Sequence, residues 1–156
     1  MPIPQFRAYQ HRCEQNAALC PDHPAVNKGV ALCYLKLKLY DKAYEYFSKA
    51  IEDDFNDSES YFYAATCLLK GKKAFLSNRA DINKIIELME AAVSIEERGI
   101  YYYFMAYIKY DYFKRKYLNT TPSYKDYLLL SKRCACSPMD IDIMFKMIGV
   151  EKTAII

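Results

Sequence analysis

The sequence predicts an all-α protein, and three observations predict it. The chain of 156 residues holds only 4 Gly and 6 Pro against 16 Tyr and 8 Phe, too few chain breakers for a turn-dense sandwich or for glycine loops around phosphate. Apolar residues recur at helical spacing, most clearly Ala43, Tyr44, Phe47, Ala50 and Ile51, as one buried face of an amphipathic helix requires. The chain also repeats itself: Ala31 to Lys36 reads A-L-C-Y-L-K, Ala65 to Lys70 reads A-T-C-L-L-K, and a weaker third copy starts at Ala106.

Composition sets further bounds. Hydrophobic residues are 53% and charged residues 26% of the chain, far from the polar composition that keeps a chain disordered. The length suits one domain over residues 1–156. The net charge of +3 falls short of what an electrostatically driven nucleic-acid binder carries. The opening from Met1 to Arg7 lacks the basic and apolar regions of a secretion signal, and no apolar run approaches a membrane span. A cytoplasmic location is therefore expected, with the cysteines at 13, 20, 33, 67, 134 and 136 reduced. Cys33 and Cys67 share a register and read as small core residues.

The elements follow in order. Phe6 to Leu19 is expected as a helix, within an N-terminal segment spanning 6–20. The first repeat, 24–57, pairs a helix from Ala25 to Leu37 with one from Lys42 to Ile51. The second, 58–98, has capping side chains at Asn56 to Ser60, a helix from Tyr61 to Lys70, an insertion at 71–80, and a helix from about Asp81 to Glu96 with Asp81 as its cap. The third, 99–134, is degenerate: a Tyr-rich helix from Ile100 to Lys116, a break at Asn119 to Ser123, and a return from Tyr124 to Arg133, though the repeat's second helix does not fix its register. In 137–149, Ser137, Pro138 and Asp140 suit a helix start, Ile141, Met144, Phe145 and Ile148 form its stripe, and Gly149 suits its end. This reads as a terminal capping helix. Ala31, Ala65 and Ala106 occupy one phase of the three copies, where helices that cross closely need small residues.

The copy from Pro24 to Asp57, with Ala31, Tyr34, Tyr40, Ala43, Phe47 and Ala50 in place and Pro21 before it, resembles the tetratricopeptide repeat family. The second copy keeps Tyr61, Ala65, Leu68 and Ala91, and the third keeps Tyr102 and Ala106. The resemblance covers roughly residues 21–133. It implies a right-handed superhelical array of antiparallel helix pairs whose first helices line a concave groove for a peptide or partner helix. Since residues before Pro21 suffice only for the second helix of an earlier pair, the chain is expected to be an excerpt of a longer array, with a capping start as the other reading.

Carried across by register, the groove residues are Lys28, Leu32, Leu35 and Lys36 from the first copy, Phe62, Thr66, Leu69 and Lys70 from the second, and Tyr103, Tyr107 and Tyr110 from the third. The resemblance thus implies a non-catalytic protein-interaction module or scaffold with an aromatic wall, in which Tyr107→Ala weakens binding by about 1 to 3 kcal/mol with little loss of stability. In the alternative reading, Tyr103, Tyr107 and Tyr110 pack on the C-terminal helices. The carboxylate clamp of chaperone-binding members is not expected: Lys28 fits, but Leu32, Tyr63, Ile100 and Phe104 stand where its other residues belong.

Other chemistry finds little footing. His11, Cys13, Cys20 and His23 are metal-ligand types, but on a helix the two cysteines lie about 10.5 Å apart along the axis, too far for one zinc. Cys134 and Cys136 have no second cysteine pair nearby. The run Glu52 to Glu59 lacks the glycine and final glutamate of a calcium loop, and Gly71-Lys72-Lys73 lacks the rest of a phosphate loop. Neither a nucleophile motif nor a dinucleotide fingerprint occurs. No enzyme activity, cofactor or metal is therefore expected. The sequon at Asn119 reads as a helix-ending turn. Two further readings remain: a structural segment of a longer repeat protein without a groove ligand, and a weakly basic RNA-binding helical repeat that uses the aromatic stretch from Tyr107 to Tyr117 with Lys70, Lys72, Lys73 and Arg79.

Overall fold

The computed structural model describes residues 24–155, so the helix expected over 6–20 and the candidate ligands His11, Cys13, Cys20 and His23 lie outside the described residues. Among the described residues there are seven α-helices and no strand. No helix there is long and apolar enough to cross a membrane.

Helix α1 spans Pro24–Lys36 and α2 spans Tyr40–Asp53. Lys38, at φ 60°, turns the chain between them. Its N–H reaches Leu35 O at 3.0 Å and that of Leu39 reaches Tyr34 O at 2.9 Å, the paired bonds that close a helix through a left-handed residue. Helix α3 covers Ser58–Cys67 under an Asp57 cap. Helix α4 covers Arg79–Ile95. Its cap is Asn78, three residues before the expected Asp81: Asn78 accepts from the Asp81 N–H at 2.8 Å, while the Asp81 carboxylate accepts from the Asn78 amide at 3.2 Å.

Helix α5, Gly99–Ile108, runs into a π-helical turn at Lys109–Lys114. The insertion between α3 and α4 folds a 3-10 turn, Ala74–Leu76, against that π-turn. Helix α6 spans Tyr124–Arg133 and α7 spans Pro138–Ile148, both opened by reciprocal Ser and Asp capping boxes.

The helices pack chiefly as α1 on α2, α3 on α4 and α5 on α6, with α2 meeting α3, α4 meeting α5, and α7 resting on α5. Ala31, Ala65 and Ala106 are each 0% exposed, which places the three repeated alanines inside the packing where small side chains let helices approach. Cys67 is a buried free thiol, and Cys134 and Cys136 are also free. Cys33 departs from the expectation of reduced cysteines: it is disulfide-bonded.

Candidate binding cleft

The placement of α7 decides which part of the expected groove is open. Its stripe is buried, with Met144, Phe145 and Ile148 at 1%, 3% and 0% exposure. The Phe145 ring meets Tyr107 edge-on at 5.3 Å and 81°. Glycine is needed close to each end of this helix. A Cβ on Gly99, at the start of α5, would lie 2.8 Å from Cys136 Cβ and backbone N, just before α7. A Cβ on Gly149, at φ +69°, would lie 2.5 Å from Tyr40 Oη. The last helix is thus held against the third pair near its beginning and against the first pair at its end.

Tyr107 is consequently a core residue. It is 0% exposed, and its hydroxyl accepts a 3.2 Å bond from the Ala74 N–H. Burial, with Asp111 close by, raises its pKa and keeps the phenol neutral. Phe62, Thr66 and Leu69 are buried too. Phe62 packs among the tilted rings of Tyr63 and Tyr101 and edge-on to Phe104, and Thr66 Oγ1 donates to Tyr63 O at 2.7 Å. Tyr103 is half-buried, and Tyr110, also half-buried, meets Tyr124 of α6 edge-on at 5.2 Å. Lys70 is exposed at φ 54° beyond α3. The open aromatic wall expected from Phe62, Tyr103, Tyr107 and Tyr110 is therefore not present: two of the rings are core, and the other two are half-covered.

Lys28 is likewise engaged. Its ammonium lies 2.9 Å from Asp57 and 3.6 Å from Glu59, joining α1 to the start of α3. Burial pulls its pKa down, but the hydrogen bond and charge of Asp57, with Glu59 behind, outweigh that and raise it. Burial would raise the Asp57 pKa; bonds from Lys28, Ser60 and the Glu59 N–H lower it on balance. The junction continues through Ser58, whose hydroxyl donates to Glu96 at 2.9 Å and lies 2.9 Å from Tyr101 Oη, and through Arg98, which donates to the same Tyr101 oxygen at 3.2 Å.

What stays open is a cleft between α1 and α7, about 610 Å³ in volume, lined by Leu32, Leu35, Lys36, Lys38, Tyr63, Ile143, Lys146 and Met147. Leu32, Leu35 and Lys36 are the expected groove residues that the structure brings together here. Tyr63, Ile143, Met147, Lys38 and Lys146 were missed. For Ile143 and Met147 the signal lay in α7, where Met139, Ile143 and Met147 recur every fourth residue as a second apolar stripe; Ile143 is left 57% exposed. Tyr63 donates to Glu59 at 3.2 Å, and burial together with that carboxylate pushes its pKa up to about 12. Its ring therefore borders the cleft as a neutral, fixed surface. Among the described lining residues there are three lysines and no carboxylate.

No family model and no curated protein matches the chain. The chemistry of the cleft has to be read from its own residues. An apolar floor rimmed by ammonium groups can bury aliphatic or aromatic side chains and attract carboxylates at the edge. Its described lining residues include no nucleophile paired with a base. Among the described residues no group of three or more His, Cys, Asp or Glu side chains is placed to hold a metal ion.

Proposed function

We propose that this protein is a non-catalytic interaction module of the tetratricopeptide type, a superhelical array of antiparallel helix pairs, which binds a short partner peptide in the cleft between α1 and α7. The observation that carries the reading is the cleft itself: about 610 Å³ bordered by Leu32, Leu35, Tyr63, Ile143 and Met147 and rimmed by Lys36, Lys38 and Lys146. That chemistry suits a segment with two or three apolar side chains on one face and acidic residues beside them, the charges guiding approach and the apolar contacts holding it.

Support for the repeat reading comes from the pairwise helix packing and from the three buried alanines in one phase. The partner site differs from the aromatic wall that the resemblance implied, because α7 packs on part of that face. Selection from a random peptide display library is expected to enrich acidic, apolar sequences whose binding is lost in Ile143→Lys. Enrichment of no sequence, or of sequences that bind Ile143→Lys equally well, would overturn the reading.

A further inference from the structure

A second surface, away from the cleft, has its own chemistry where the 3-10 turn meets the π-turn. From Ser60 to Ala80 the chain has the cations Lys70, Lys72, Lys73 and Arg79 and no carboxylate; from Arg98 to Lys125 its sole carboxylate is Asp111. That carboxylate is fully buried, accepting from the Phe75 N–H at 2.8 Å and from Arg115 at 2.7 Å. On the neighbouring α4, Asp81 is tied to the Asn78 cap and Glu90 acts on buried Lys109.

The cations gather around aromatic rings. Arg115 and Lys116 lie 4.6 and 4.9 Å from the Phe75 centroid, Lys116 also lies 4.4 Å from that of Tyr112, and Arg79 lies 4.9 Å from that of Phe113. Lys73 and Lys114 are exposed, each next in sequence to one of these turns or its cations. Beside them, uncovered apolar side chains project: Leu76 is 66% exposed, Tyr117 96% and Leu118 41%.

The geometry points to this edge as a docking surface for an anionic lipid bilayer. Leucine and tyrosine side chains standing among lysines and arginines are what a headgroup region accommodates: the aliphatic groups enter the acyl boundary, the phenol stays at the interface, and the cations meet lipid phosphates and carboxylates. Single-stranded RNA fits less well. The rings of Phe75 and Tyr112 carry cations over them, so among these side chains Tyr117 is the one uncovered ring, and a strand stacked on it would meet the aliphatic Leu76 and Leu118 rather than a second ring.

The test is co-sedimentation of the whole chain with vesicles of phosphatidylcholine alone and of phosphatidylcholine with about a third phosphatidylserine. Binding is expected to be at least about tenfold stronger on the anionic vesicles and to weaken at high salt. Replacing Lys73 and Lys114 by Gln should lower it about fivefold for each cation removed. Leu76→Ser or Tyr117→Ser should lower it further, with the circular dichroism spectrum unchanged. Equal binding to both vesicles by the unaltered protein overturns the proposal without reference to any variant. So does a single-stranded RNA oligonucleotide that binds more tightly than the anionic vesicles and is indifferent to Leu76→Ser.

Discussion

Along α7, one helix meets two neighbours in opposite ways. Toward α5 it presents Met144 and Phe145, and the contact with Tyr107 closes completely. Toward α1 it presents Ile143, Lys146 and Met147, and a cleft of about 610 Å³ remains. The difference comes from the facing side chains. Rings that can meet edge to face fill the space between helices, whereas Lys38 and Lys146, on opposite rims of the cleft, are exposed long side chains whose charged heads favour water over close packing. The same segment is thus core on one edge and binding wall on the other.

The closed edge is the easier to break. Phe145→Ala is expected to cost about 3 to 5 kcal/mol in urea-induced unfolding, because it removes a buried ring and leaves the Tyr107 contact empty. Tyr107→Phe preserves the ring but leaves the buried Ala74 N–H without an acceptor, and the same measurement should show a loss of about 1 to 3 kcal/mol. Both values separate a core tyrosine from a partner-binding one, whose truncation would have left stability intact.

The open edge depends on the α1 to α3 junction. Asp57→Ala removes a helix cap and the Lys28 bond together, for an expected loss of about 0.5 to 2 kcal/mol at neutral pH. The native carboxyl is held below its ordinary pKa of 3.8. Its contribution is therefore present above that pH and is lost as acid protonates it, so the gap between protein and variant should narrow below pH 3.8. The smallest stability change is expected for Ile143→Lys, within about 0.5 kcal/mol, although this variant should abolish peptide binding. A large loss of stability there would show that the cleft wall belongs to the core.

Most helix positions were readable because periodicity and caps agree locally. Ser137, Pro138, Asp140 and Gly149 mark α7 at both ends, and all four hold their expected roles. Other stops were silent because the left-handed residue is not glycine: Lys38, Tyr117 and Ala135 have φ of 60°, 58° and 58°, each within a pair of helix-closing backbone bonds that side-chain identity does not announce. The π-turn was silent too, since the buried Asp111 that anchors it finds its partner in the insertion 36 residues earlier. Of the groove expected along α1, α3 and α5, only Leu32, Leu35 and Lys36 of α1 line the cleft. Its closure over Tyr107 was not legible, because a buried Tyr and a binding Tyr have the same helical period, and only the docking of α7 distinguishes them.

The proximity of Gly149 to Tyr40 bears on how the chain acquires its structure. In an open stack of repeats each unit leans only on its neighbours, so growth can start anywhere and ends can fray independently. Here the final turn rests on the first pair, a contact between residues far apart in sequence that delays completion until nearly the whole described chain has emerged. Unfolding should accordingly be a single cooperative event rather than a progressive peeling from either terminus.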